Sequence, residues 1–428
     1  MPRRRVWQRA FGADGALEPR YDKAKIILSF DADFLGSDGP FLASIREFAA
    51  GRSVEDVDHR HAAPSRFYMV EGGMTTTGGN ADYRIRLRPS KMAYLAEALR
   101  AAVNGDFDRL SRFAKANELD RALLTRLVRD LKDHRGAAVV VAGGHLAAPV
   151  HAQTALLNEA VNAFDHTLFW NPEPANLPAS TPEAVAAYFE KGVDVALLLD
   201  VNPVYDWPGG GFEKLLALAK LSVAHGLHRN ETLSAAAVAL GSCHNLESWN
   251  DARPRPGTET LCQPVIAPLF DTRQSVESLL RWTQALLPTG DPVKSFEDWH
   301  RYVQHRWTAP SVDRPAEAPP APDNLPLAER RGWESVLRLG GRFSPPDIAN
   351  PPVPPLDRSA LKEIAETVAP CGAFELVLQP HFALYDGRFG VGARRVVVQP
   401  SPPIRDIAAW KRFATLTEEE VDVVLGKQ

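Results

Sequence analysis

Apolar positions follow two rhythms along this chain. Short unbroken runs, several rich in β-branched residues, alternate with longer stretches in which apolar residues recur every three or four positions. The runs at 24–30 (AKIILSF), 66–70 (RFYMV), 137–142 (AAVVVA), 167–170 (TLFW) and 193–200 (VDVALLLD) predict strands. Continuous apolar sequence of this length suits strands covered on both faces. Helical periodicity predicts helices over 41–50, 92–103, 107–131, 150–163 and 182–191. Strands alternating with helices in this way predict a Rossmann-like α/β fold, with parallel sheets carrying helices on both faces.

Prolines then punctuate the chain. Pro310, Pro315, Pro319, Pro320, Pro322 and Pro326 form one cluster, and Pro345, Pro346, Pro351, Pro352, Pro354 and Pro355 a second. Neither suits a regular element interior. The expected organisation is an N-terminal extension over 1–23, a first α/β unit over 24–135, a second over 136–308, a Pro-rich linker region over 309–357 and a small C-terminal region over 358–428. That last region is expected to hold a helix at 359–368 and strands at 374–378 and 395–399. A length of 428 residues, 45% of them hydrophobic, is ample for two or three packed units.

Charge and cysteine usage narrow the chemistry. A net charge of −4 gives no basic footprint for nucleic acid. The three cysteines, Cys243, Cys262 and Cys371, are too few for a four-thiolate iron–sulfur cluster. Met1-Pro2-Arg3-Arg4-Arg5-Val6-Trp7 is basic, but the apolar stretch of a secretory signal does not follow it, and no membrane span is read. A cytoplasmic place is expected, or association with a membrane through partners, with export alongside a signal-bearing partner left open.

In an open parallel sheet, ligands bind beyond the carboxyl ends of the strands. The loops after Phe30, Val70, Ala142 and Leu199 are therefore the candidates. The first carries Asp31, Asp33 and Gly36, and the third Gly143-Gly144-His145. The fourth carries Asp200-Val201-Asn202-Pro203, then Gly209-Gly210-Gly211. Glycines here allow a backbone to approach a phosphate, yet Asn, Pro and Gly are also ordinary turn formers, so both readings stand. His145 and His151 lack further ligands at zinc spacing. Cys243 beside His244 reads as a small buried cysteine as readily as a nucleophile. No nucleophile elbow or complete P-loop is present.

Read together, these segments resemble the molybdopterin oxidoreductase family of the dimethyl sulfoxide reductase type, and in particular the molybdopterin-like region of the large iron–sulfur subunit of alternative complex III. The likeness rests on Ile26 to Gly36 (IILSFDADFLG) and on Thr75-Thr76-Thr77-Gly78-Gly79-Asn80-Ala81-Asp82 with Arg86-Leu87-Arg88-Pro89. Further along, it rests on Asp200-Val201-Asn202-Pro203, Asn230-Glu231-Thr232, Leu246-Glu247-Ser248-Trp249 and Gln263-Pro264-Val265-Ile266-Ala267-Pro268-Leu269. It implies a fold like the central domains of those enzymes and a crevice lined by Asp31, Asp33, Gly143, Gly144, Asn202 and Glu231.

Two departures bear on activity. The residues before Ala24 hold no cysteine, so neither the family's iron–sulfur ligands nor a cysteine ligand to molybdenum is found there, and Ser29 lies inside a strand. Asp200 stands where the family carries glycine, and its carboxylate would repel a pyrophosphate. The resemblance therefore implies a non-catalytic scaffold, without a cofactor, that holds iron–sulfur, haem or membrane-embedded subunits of a quinol-oxidising respiratory complex. One alternative is a molybdopterin-binding (molybdenum) oxidoreductase subunit completed by a separate chain. The other is an unrelated nucleotide-binding α/β enzyme.

Overall fold

Five consecutive buried side chains, Ile26 to Phe30, need apolar cover on both sides and receive it inside a parallel sheet. This computed structural model describes residues 2–39, 41–53, 64–172, 181–255, 258–308, 333–343, 351–366, 375 and 377. The chain divides into two units, Met1–Pro174 with Pro351–Gln428, and Ala175–Asn350.

The first unit contains α1 (Pro2–Phe11), β1 (Gly15–Pro19), β2 (Ile26–Phe30), α2 (Phe41–Arg52), β3 (Arg66–Glu71), α3 (Thr76–Gly79) and β4 (Tyr83–Arg86). It continues through α4 (Pro89–Val103), α5 (Phe107–Ala116), α6 (Arg121–Asp133), β5 (Ala138–Ala142), α7 (Ala148–Ala160) and β6 (Leu168–Pro172). Four parallel strands lie in the order β4-β3-β2-β5. Leu28, Phe67, Tyr68, Met69, Leu95, Leu99 and Leu127 are fully buried in the core around them. At the free edge of β5, the Asn158 amide donates to Val140 O at 2.7 Å and accepts from Val140 N at 2.9 Å. Thr167 Oγ1 donates to Ala138 O at 2.7 Å, so side chains satisfy backbone groups that no strand reaches.

Three expectations change here. Residue 136, expected to open a second α/β unit, instead leads into β5, which pairs with β2 in the first sheet. A strand belongs to the sheet that pairs it, whatever loop motif follows. The single helix expected over 107–131 is two, α5 and α6. Glu118 takes a φ of 54°, and the Asp120 carboxylate caps α6 by accepting from Ala122 N and Leu123 N. The strand near 167–170, expected within the parallel series, is β6, which pairs antiparallel with β1. That pairing draws the expected N-terminal extension into the fold: Val6, Ala10, Phe11 and Leu17 are buried, and the Phe11 ring lies 5.1 Å from that of Trp170.

The second unit contains α8 (Pro182–Glu190), β7 (Val193–Leu199), α9 (Pro203–Asp206), α10 (Phe212–Leu216), β8 (Ala219–Gly226), α11 (Glu231–Ala235) and β9 (Val238–Gly241). After these come β10 (Asn250–Arg255), β11 (Thr258–Cys262), α12 (Ser275–Leu286), α13 (Trp299–Thr308), α14 (Trp333–Leu339) and β12 (Gly341–Phe343). Strands β7-β8-β9 form a parallel sheet, and β10-β11-β12 an antiparallel one. Ala196, Leu198, Phe212, Leu216 and Ala224 form the core beside the parallel sheet. A small cluster of Leu261, Val303, Trp307 and Val336 packs near the antiparallel one.

The region expected as linker over 309–357 thus carries a helix and a strand, because Trp333 and Val336 have an apolar cluster to join. Residues 309–325 lie outside the described residues, as do the run at 395–399 and three of the five positions of that at 374–378. The helix expected over 359–368 is α15 (Arg358–Ala365), which buries Leu361 and Ile364 in the core of the first unit. No helix among the described residues is long and apolar enough to cross a membrane.

Candidate functional site

Each parallel sheet ends its strands in polar loops, and the expected site residues fall into two groups, one per unit. Asp31, Asp33, Gly143 and Gly144 follow β2 and β5 of the first unit, whereas Asn202 and Glu231 follow β7 and β8 of the second.

In the first unit, Asp31 is buried, takes a φ of 51° and donates its N–H to Val70 O at 2.8 Å. His145 Nε2 lies 3.4 Å from Asp31 Oδ2. Gly143 has a packing reason to be glycine: a Cβ there would lie 2.3 Å from the Asp31 carbonyl oxygen. Gly144 N donates to Asp38 Oδ2 at 2.9 Å, and Asp38 Oδ1 accepts from Arg3 Nη1 at 3.3 Å. The carboxylate of Asp38 therefore occupies the backbone donor of the glycine loop, with a guanidinium on its other oxygen.

Asp33 is a loop fastener. Its Oδ1 accepts from Thr77 N at 3.1 Å and Thr77 Oγ1 at 2.7 Å, and its Oδ2 from Ser37 N at 3.0 Å and Ser37 Oγ at 3.2 Å. Two of these bonds brace the loop after β2 on itself, and the two from Thr77 tie it to α3. Asp33→Ala is expected to cost about 2–4 kcal/mol, since two backbone donors and two hydroxyls lose a charged acceptor. Hydrogen exchange checks this: the amides of Ser37 and Thr77 should lose protection first, while α5 and α6 keep theirs.

One turn into α7, His151 is 3% exposed, and its Nε2 has no partner. Burial, aided by the Arg3 charge and by His145, lowers its pKa to about 3 against a bond to the Leu146 backbone that works the other way. This ring is neutral at neutral pH.

In the second unit, Asn202 and Glu231 meet directly. Asn202 Nδ2 donates to Glu231 Oε2 at 2.8 Å, while Asn202 Oδ1 accepts from Thr232 N at 3.1 Å and Thr232 Oγ1 at 2.8 Å. The Asn202 bond holds the Glu231 carboxyl below its ordinary pKa. Asp200, in the left-handed region at φ 54°, accepts from Ser242 Oγ at 2.8 Å and from Ser275 Oγ at 2.5 Å. Ser242 also faces His225 Nδ1 at 3.1 Å, and Ser278 Oγ lies 2.9 Å from His225 Nε2. Burial lowers the His225 pKa, Asp200 opposes that, and Arg273 adds to it.

Thr77 belongs to the threonine and glycine segment read after Val70, whereas Arg3, Asp38, His225, Ser242 and Ser275 were not expected at these strand ends and carry no motif that announces them. No group of three or more His, Cys, Asp or Glu side chains suited to a metal occurs among the described residues. Cys243 lies 3.5 Å from Thr272 Oγ1, Cys262 is exposed and Cys371 lies outside the described residues.

No family model matches the chain. It is 26% identical over 342 aligned residues to the menaquinone reductase, molybdopterin-binding-like subunit, of Nitratidesulfovibrio vulgaris. That likeness covers 69% of this chain and 48% of the relative, so the chain spans about half the length of the curated relative it matches. The resemblance to molybdopterin oxidoreductases read in the sequence is borne out by this relative. Among solved structures, acetylene hydratase from Pelobacter acetylenicus aligns with a TM-score of 0.47 at 11% identity, covering 64% of this chain and 48% of that one.

Proposed function

We propose that this chain, similar to a molybdopterin-binding-like subunit of a menaquinone reductase, is an oxidoreductase-like subunit of a quinone-linked respiratory complex. In this reading it serves as a non-catalytic scaffold. The observation that carries the proposal is the likeness to that relative over 69% of the chain, in a sequence whose only cysteines are Cys243, Cys262 and Cys371. Its work is then to hold redox subunits, carrying iron–sulfur clusters, haem or a membrane-embedded quinone site, at distances electrons can cross. The Asp38 carboxylate on the Gly144 N–H, a donor of the kind a phosphate would use, supports reading the chain without a pterin dinucleotide. No redox step is assigned to this chain.

A second reading, a molybdopterin-binding subunit completed by another chain, is favoured by the words of the relative's name. One experiment separates the two. The chain is tagged and purified from its native cells under conditions that preserve complexes, and molybdenum, tungsten and iron are measured with released pterin. The scaffold reading expects co-eluting redox subunits and quinone-linked activity, with iron but far less than one molybdenum, tungsten or pterin per chain. Near-stoichiometric pterin with molybdenum or tungsten would overturn it in favour of the second reading, and elution without partners would sink both.

A further inference from the structure

Backbone N–H groups at a loop between a parallel strand and its following helix attract anions, and a fold that keeps a phosphate there ordinarily leaves them open. Here the Gly144 N–H points at Asp38 Oδ2, 2.9 Å away, and the Arg3 guanidinium holds the other oxygen. The space above Gly144 is lined by the same pair, since a Cβ there would lie 3.5 Å from Asp38 Oδ1 and 3.6 Å from Arg3 Cζ. In the second unit a carboxylate again stands at a strand end, and there it accepts from two side-chain hydroxyls rather than from a backbone N–H. Asp200 reaches the first residue of the twelve-residue helix α12 through Ser275 Oγ and holds Ser242 with its other oxygen. A negative charge at that helix start is favourable in its own right.

We infer that both strand-end clefts are closed to phosphate by carboxylates of the chain itself, Asp38 in the first unit and Asp200 in the second. Each carboxylate satisfies donors that would otherwise need a ligand or water, so the loops keep their form without a cofactor. A phosphate arriving at Gly144 would have to displace Asp38 and then sit beside the expelled charge. The inference deepens the subunit reading above and rests on it only in naming the ligand class, a dinucleotide pyrophosphate.

The test uses the purified full-length chain, with inorganic pyrophosphate and GDP as probes, read by calorimetry and by the shift in melting temperature. The wild type is expected to bind neither at about 1 mM probe. Asp38→Ala frees Arg3 and the Gly144 N–H, and should bind pyrophosphate at least about tenfold more tightly than the wild type. Asp38→Asn, which keeps an acceptor for Gly144 and loses only the charge, should gain less in the same direction, and it carries the test should the alanine variant not fold. Asp200→Gly, at ease in the left-handed region, should likewise gain affinity. Saturable sub-millimolar binding by the wild type overturns the inference, as does a folded Asp38 variant as silent as the wild type. Either result removes one support of the scaffold reading without deciding it, since that reading stands or falls on the partners and pterin recovered from native cells.

Discussion

Arg84→Ala is expected to destabilise the first unit by about 3–5 kcal/mol, because it leaves a carboxylate buried without its cation. The side chain of Glu71, at the end of β3, is wholly buried and paired with Arg84 of β4, which is 31% exposed. Thr75 adds bonds from its N–H at 3.2 Å and its hydroxyl at 2.8 Å. Burial raises the Glu71 pKa, while Arg84 and Thr75 pull it back. There is no room for rearrangement, since a Cβ on Gly78 would lie 1.9 Å from Glu71 Oε1. The loss should appear as faster hydrogen exchange throughout β2 and β3. The double variant Arg84→Met with Glu71→Gln should recover most of it, as removing both charges leaves neither stranded. A loss under about 1 kcal/mol for Arg84→Ala would show that Glu71 simply takes up a proton.

Acid should unfold the first unit through His151. Its folded pKa of about 3 lies below the ordinary 6.5, so the unfolded chain binds the proton more readily. The sign follows: stability is complete above pH 6.5 and falls as pH drops, by up to about 1.4 kcal/mol per unit, until the ring protonates in the folded state near pH 3. Glu47 and Glu71 act oppositely, since burial raises both above 4.5 and the fold gains as they protonate between their raised values and 4.5. Asp82, lowered by its Arg52 bond, gives stability that is full above 3.8 and lost below that value. Between pH 6.5 and the onset of the carboxylates, His151 is the main source of acid lability among the described residues of the first unit, and His225 acts in the same direction in the second. Stability of wild type and His151→Leu, compared across that window, should diverge by about 2 kcal/mol at pH 5. Parallel curves would mean that the ring is reached by water and protonates without unfolding.

The strands that could be read from sequence were those covered on both faces. Ile26–Phe30, Arg66–Glu71 and Ala138–Ala142 are continuous apolar runs because nearly every position is buried. Strand β1 escaped because Gly15–Pro19 buries only two of its five residues and needs β6, over 150 positions away, to be a strand at all. Strand β8 escaped because Lys220 and Leu221 are exposed and its buried part, Ser222 to Gly226, mixes the polar Ser222 and His225 with Val223 and Ala224. At the strand ends, Asn202 and Glu231 were both singled out from sequence, and the fold brings them to 2.8 Å. The Arg3 to Asp38 to Gly144 chain was not legible, since it joins residues 35 and 106 positions apart that share no periodicity.

The Asn158 amide on Val140 has a consequence for assembly. A free parallel edge is a template on which another chain can zip a strand, and β5 offers no such row, because Asn158 and Thr167 already answer it. At the opposite edge, β4 is a strand of only four residues, and a short edge strand offers little to extend. A second chain meeting the β5 edge of the first unit would therefore do so through side chains rather than by extending its sheet.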